Sequence, residues 1–343
     1  MANRTTANLV KSQVKLLGAF QSSELRYRVP ATYLALKSMS SLMFPNYEAL
    51  RVREDRTIET NYSKKGTRAL GTGGRIHNHT GTHGDTAVLT PTWITYDDKF
   101  AMSLKQADNS LYDAQEQMNQ EVTDVITNFM EGYETIATAY LFNNRSGVNI
   151  ATYNGTFDTT DDVFEITEAK ETLAIQTTEI ALDANKYPKG AVVFCDSVSY
   201  GKFLFQKNQG SGNSTNLSYQ FDMNGLTFVH SIGLGTLAAG LVSAYSKGFW
   251  IVVPNGTVAT LPWIPVQNRR GVSTKENEYT NILNPIDGES YAVHSYETRV
   301  DGSSTNGYTQ DVMTEYQFSQ DVSFAKAPLT TAGETPILAF GIV

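Results

Sequence analysis

Residues 110–144 read SLYDAQEQMNQEVTDVITNFMEGYETIATAYLFNN, and this stretch decides the architecture. Its apolar residues, Leu111, Ala114, Met118, Val122, Val125, Phe129, Tyr133, Ile136 and Tyr140, follow one another at steps of three and four. That spacing draws one stripe down a helix of about eight turns. Ser110 with Asp113 supplies an N-terminal capping pattern, and Asn143, Asn144 and Gly147 supply the stop. Gly132 is the one weak position inside it. About 34 residues at 1.5 Å rise give a rod on the order of 50 Å, far longer than the mean helix. Such a rod predicts an elongated, flat molecule built along a spine.

On the N-terminal side, residues 49–104 read as a long β-hairpin. Alternating arms at Arg51–Tyr62 and Thr86–Tyr96 flank a tip dense in glycine (Gly66, Gly71, Gly73, Gly74, Gly81, Gly84). The tip carries Lys64, Lys65, Arg68 and Arg75, and Arg51, Arg53 and Arg56 precede it. With almost no large apolar residues it cannot bury itself, so either it is mobile or another chain covers it. Residues 1–48 read as an arm with short helical pieces. Val10, Val14 and Leu17 carry helical spacing, Pro30 ends the first piece, and Met39, Leu42 and Met43 suggest another turn or two.

On the C-terminal side, Phe164–Asn185 reads as a second helix with Ile166, Ala169, Leu173, Ile180 and Ala184 on one side. The sequence Tyr187-Pro188-Lys189-Gly190 breaks it. Ala191–Cys195 is a short buried strand, after which Asp196 caps a short helix holding Val198, Phe203 and Leu204. A polar loop spans 208–218. Gly225–Ser231 and Gly248–Val253 read as strands, and 271–343 is strand-rich.

The 343 residues are 41% hydrophobic, 11% aromatic and 18% charged, which suffices for a core without staples. The single cysteine, Cys195, excludes an internal disulfide and a cysteine-based zinc site. No stretch long enough to span a membrane and no secretory signal is read. The net charge of −8 argues against a dedicated nucleic-acid binder, but it is uneven. Residues 1–75 hold thirteen Lys or Arg against five Asp or Glu, a net of +8. The remainder holds fourteen against thirty, a net of −16. The two parts are complementary within one molecule or between copies.

The search for chemistry is negative. His77, His79 and His83 lie in the glycine-rich tip, a poorly preorganised place for a metal, and read as solvated loop histidines. Gly71-Thr72-Gly73-Gly74 lacks both nucleotide fingerprints. Cys195 reads as a buried structural thiol. The Asp301–Asp311 segment misses the glycine and glutamate of a calcium loop. The pairs Asp97-Asp98 and Asp161-Asp162 read as caps or solvated turns. No cofactor and no enzymatic activity are expected.

Arm, basic hairpin, very long helix, α/β lobe and strand-rich end, in that order, resemble a tailed-phage major capsid protein of the HK97-type fold. The most telling segment is Glu171–Ile232: helix, the run Tyr187–Asp196, a short helix with Tyr200 and Leu204, a polar loop, and Gly225–Ser231. The resemblance implies an α+β, HK97-like fold. It implies an N-terminal arm at 1–48 and an extended loop at 49–104 lying over a neighbouring subunit. It further implies a peripheral domain at 105–150 and 271–343 with the spine helix at 110–144, and an axial domain at 151–270. The implied function is self-assembly into pentamers and hexamers of an icosahedral head around double-stranded DNA, without sequence-specific binding. The extended-loop cations are then contact candidates between subunits. A separate scaffold, a portal and decoration proteins are implied partners, the virion is the location, and assembly takes place in the host bacterial cytoplasm. Two alternatives stand beside it: an encapsulin-type compartment shell, and a soluble α/β enzyme or carbohydrate-binding protein.

Overall fold

The computed structural model describes residues 2–44, 46–54, 60–63, 86–103, 114–146, 153–185, 187, 190–211, 220–223, 225–274, 277–300, 311–327 and 335–343. Three helices open the chain: α1 (Ala2–Gln21), α2 (Ala31–Met43) and α3 (Tyr47–Arg51). Strands β1 (Thr60–Ser63) and β2 (Thr86–Leu89) pair antiparallel with each other, Thr60 opposite Leu89 and Ser63 opposite Thr86, and form a ribbon of their own. Strand β3 (Thr92–Ser103) then leads toward the long helix α4 (Ala114–Asn143).

Helix α4 runs 30 residues, or about 45 Å. Met118, Val122, Val125, Phe129 and Tyr133 of the expected stripe are buried, and Ile136 and Tyr140 are half-buried. Leu111 and the expected Ser110 cap lie outside the described residues. A second row, Ile126, Met130, Ala137 and Leu141, is also buried, so the helix is covered on a broad face. One side meets a five-stranded sheet ordered β10-β13-β12-β11, with β3 along the outer edge of β13. Its strands are β10 (Val258–Trp263), β11 (Asn277–Leu283), β12 (Ser290–Val300) and β13 (Asp311–Lys326). The contact is aromatic. Phe129 meets Tyr291 edge-on at 4.9 Å, and Tyr140 stacks on Phe324 at 5.1 Å.

The second sheet has seven strands ordered β4-β5-β14-β9-β6-β8-β7. These are β4 (Gly155–Asp158), β5 (Val163–Ile166), β6 (Ala191–Cys195), β7 (Gln220–Met223), β8 (Leu226–His230), β9 (Phe249–Pro254) and β14 (Leu338–Ile342). Helices α5 (Ala174–Ala184), α6 (Ser197–Ser211) and α7 (Leu234–Ala239) connect its strands, and α8 (Val266–Arg270) follows β10. The centre is wholly apolar: every residue of β6, β9 and β14 is buried. Trp250 on β9 stacks on Phe340 of β14 at 5.6 Å, and its indole N–H donates to Thr178 Oγ1 at 3.1 Å.

The structure corrects several expectations. The buried face of α1 is Leu9, Ser12 and Leu16, while Val10 and Val14 are 53% and 64% exposed. The helix covers α4 with the neighbouring stripe, and the arm is more helical and more buried than the discontinuous pattern suggested. In α2, Leu42 points outward but Tyr33, Leu36 and Met39 join the main core. Residues 164–166, expected in a helix, fall in β5, because Phe164–Ile166 pairs in parallel with Phe340–Ile342 and Val163–Ile166 pairs with β4. The helix starts only at Ala174, and it buries Ile175, Thr178, Ala181 and Leu182 rather than the expected side. Arg51 closes the short helix α3 instead of opening a strand. Finally, β10, expected with residues 151–270, belongs to the five-stranded sheet. Strand β14, expected with 271–343, lies in the middle of the other sheet. An all-apolar strand such as Leu338–Ile342 needs cover on both faces, and a central position supplies it.

Candidate assembly surface

Two buried polar clusters fix the N-terminal helices to the body. In the first, Glu134 of α4 is only 3% exposed. Its carboxylate accepts from the Thr32 amide at 2.8 Å, the Tyr33 amide at 3.3 Å and the Thr32 hydroxyl at 2.6 Å. Thr32 Oγ1 is also 2.8 Å from Ser231 Oγ, which lies 3.1 Å from Thr138 Oγ1. A carboxylate borrowed from the spine thus caps α2, whose own N-cap position, Pro30, has no side-chain cap bond. Burial pushes the Glu134 carboxyl up, and the Thr32 and Tyr33 bonds pull it back.

In the second cluster, Glu289, 2% exposed, takes Lys37 of α2 at 2.5 Å and Arg51 of α3. Arg51 also reaches Glu48 at 3.1 Å and lies over the Tyr47 ring. Asp287 beside it accepts from the Tyr291 hydroxyl at 2.9 Å, and burial raises its carboxyl to about 6. Burial likewise lowers the Lys37 ammonium to about 8. Arg51, expected as a contact between subunits, is therefore consumed inside its own chain. Arg53 is exposed, and its carbonyl accepts from the Trp263 indole at 3.0 Å and from Arg269. Arg56, Lys64, Lys65, Arg68 and Arg75 lie outside the described residues, as do His77, His79 and His83.

Several outward features stand out among the described residues. The β1–β2 ribbon joins neither large sheet, and Val88 on it is 58% exposed. Val10 and Val14 line the outer side of α1 beside exposed Lys11 and Lys15. On α6, Val198 and Phe205 are 43% and 63% exposed. Where α4 crosses β3, a groove of about 150 Å³ opens beside Gly132. Tyr96, Phe129, Tyr133 and Ile136 line it, with Asp97, Asp98 and Asn128 at its border. Asp98 Oδ2 accepts from the Asn128 amide at 2.8 Å, and Asp97 pairs with Lys99 at 2.8 Å. These two aspartates sit within β3, not at its end.

The remaining candidates are structural. Cys195 is buried and its thiol is pushed well up by desolvation, which keeps it protonated. Asp196 Oδ1 accepts from the Ser199 amide at 2.7 Å, the expected cap of α6. Asp161, expected at a cap or solvated turn, is buried and accepts from the amides of Val242 and Ser243 at 3.2 and 3.1 Å. Among the described residues, no group of three His, Cys, Asp or Glu is placed to hold a metal, and no helix is long and apolar enough to cross a membrane. The sequence reading missed Glu134, Lys37, Asp287 and Glu289. Only Glu134 left a signal, as a carboxylate breaking the Ile126–Met130 row of the spine.

No family model and no curated protein matches the sequence. Among solved structures the chain is similar to one of the "Cyanophage Pam1 capsid asymmetric unit", at 11% identity and TM-score 0.47, covering 86% of this chain and 87% of that one. It is similar to a chain of Mycobacterium phage Che8 at 8% identity and TM-score 0.45, covering 86% and 87%. A third is the capsid of a native GTA particle, at 10% identity and TM-score 0.46, covering 85% and 86%. The fold class is α+β. Its order of helical arm, paired ribbon, long helix, α/β sheet and strand-rich end is the order the HK97-like resemblance implies.

Proposed function

We propose that this chain is a structural subunit, a major capsid protein that assembles with copies of itself into pentamers and hexamers of an icosahedral phage head. The observation that carries the reading is the β1–β2 ribbon. Among the described residues its two strands pair only with each other, Val88 is exposed, and the basic segment 64–85 lies between them in sequence. A two-stranded ribbon is marginal alone in water. A neighbouring copy of net acidic body is a cover of the right charge. Repeated weak contacts of this kind sum to a stable lattice.

In this reading residues 1–48 are the arm, 49–104 the extended loop, α4 the spine of a peripheral domain, and the seven-stranded sheet the axial domain. Double-stranded DNA is enclosed without base recognition, and the virion is the location. A separate scaffold, a portal and decoration proteins are the partners that such a shell uses. The subunit does no chemistry.

Negative-stain electron microscopy with sedimentation tests this directly. Closed polyhedral shells or rings of five and six subunits are expected. Deleting residues 63–84 is expected to leave the core folded and abolish those particles. A persistent monomer of 37.8 kDa across salt conditions and with scaffold supplied overturns the reading. Shells that enclose an enzyme cargo and no DNA replace it with a compartment.

A further inference from the structure

We infer that the groove beside Gly132 is an acceptor for a cationic side chain from a second copy of this chain, supplied by its basic N-terminal quarter. The inference rests on the assembly reading above and gives that contact a place. Gly132 leaves the groove open: a Cβ built there meets no atom within 4 Å. Behind it, Tyr96 and Phe129 both pack on Tyr133, at 5.9 and 5.7 Å between ring centroids, and form a preorganised aromatic floor. Tyr133 is locked by its hydroxyl, which donates to Gln320 Oε1 at 2.8 Å.

An apolar wall with a carboxylate at its border is chemistry that recognises an ammonium or guanidinium; Asp97 is held by Lys99 and Gln317, which leaves Asp98 as the acceptor. Half-buried Tyr96 and Ile136 cover the aliphatic stem, and the Asp98 carboxylate takes the donors. Asp98 is oriented for this by Asn128 and by the Lys99 amide at 2.8 Å. Each carboxylate oxygen so engaged keeps further acceptor capacity. A groove of about 150 Å³ is scaled to one long side chain rather than to a small-molecule substrate. The occupant follows from charge. Residues 1–75 carry +8 and the remainder −16, so a cation reaching an acidic rim is found on another copy's N-terminal quarter.

The test uses the full chain. Gly132→Cys introduces a thiol at the groove, and Cys195 is buried and silent to alkylation. That thiol is expected to react in free subunits and to be protected in assembled particles. Asp98→Asn keeps the shape and removes the charge. It is expected to raise the concentration needed for assembly roughly tenfold, the scale of one lost charge-assisted contact, with the melting temperature of the free subunit unchanged. Equal alkylation in both states, with Asp98→Asn assembling like the wild type, overturns the groove while leaving assembly intact. Protection without any effect of Asp98→Asn also overturns it, because the cover is then not a cation. If the wild-type chain does not assemble at all, the assembly reading fails first and this inference falls with it.

Discussion

The carboxylate of Glu134, on the spine helix, sits 2.8 Å from the backbone amide of Thr32, the second residue of α2, 102 positions earlier in the chain. It replaces the cap that α2 lacks, satisfies the buried Thr32 and Tyr33 amides, and accepts a third bond from the Thr32 hydroxyl. Glu134→Ala is expected to cost about 3 kcal/mol, the scale of leaving such donors unpaired. Glu134→Gln keeps an acceptor and is expected to cost less. Chemical denaturation of the free subunit measures both, and an unchanged midpoint for the alanine variant sinks the capping role.

Asp287 makes the clamp pH-sensitive. Its carboxyl is raised from 3.8 to about 6, so the folded state holds its proton more tightly than the unfolded one. The resulting stabilisation is complete below pH 3.8 and is lost as pH rises through 6. The full loss is ~3 kcal/mol at 1.36 kcal/mol per pKa unit. Asp287→Asn imitates the protonated group and is expected to flatten this part of the pH profile. Thermal melts of both proteins between pH 4.5 and 7.5 check it. Parallel profiles mean that Asp287 does not titrate in this window.

Glu289 holds two cations from two helices, at Lys37 and Arg51. Glu289→Gln leaves Arg51 with only the exposed Glu48 and Lys37 with only nearby Asp287 as opposite charge, at a site where the carboxylate is 2% exposed. The cations are 18% and 24% exposed, so solvent offsets part of the penalty. A loss of about 2 kcal/mol is expected, together with faster proteolysis of the segment between α1 and α2. Wild-type proteolysis kinetics exclude the clamp.

Two glycines should respond in opposite directions. Gly132 is helical with open space around its Cβ, so Gly132→Ala is expected to stabilise the subunit by about 0.5–1 kcal/mol. Gly341, in the centre of the seven-stranded sheet, touches the ring of Tyr245. A Cβ there runs into the ring at Cδ1, so Gly341→Ala forces apart a packed core and is expected to cost about 1–3 kcal/mol. Melting temperatures of the two variants are expected to move up and down respectively. A rise for Gly341→Ala contradicts the packing described.

Much of the architecture was legible where the deciding interactions are local. The spine helix is an example: its stripe from Met118 to Tyr133 and its stop at Asn143 follow from 3.6-residue geometry. The strand Ala191–Cys195 and the Asp196 cap were legible for the same reason, since a short apolar run and a following carboxylate are written side by side. Residues 164–166 show the opposite case. Their apolar spacing fits a helix, and they become a strand because β4 on one side and Phe340–Ile342, far away in sequence, on the other both pair with them.

The candidate site divides along the same line. That residues 1–75 are net basic and the remainder net acidic was determined by residue types and their order. Which face of α1 is covered was not, because Val10 and Val14 have the same helical spacing as Leu9 and Leu16. Only the position of α4 against the helix decided between them. Nor could any local pattern reveal that Arg51 is spent on Glu289, 238 residues away, or that Gly132, Tyr96 and Asp98 border one groove. Periodicity and composition are properties of neighbours along the chain. Ion pairs, caps borrowed from another helix and grooves are properties of neighbours in space, and folding alone brings those together.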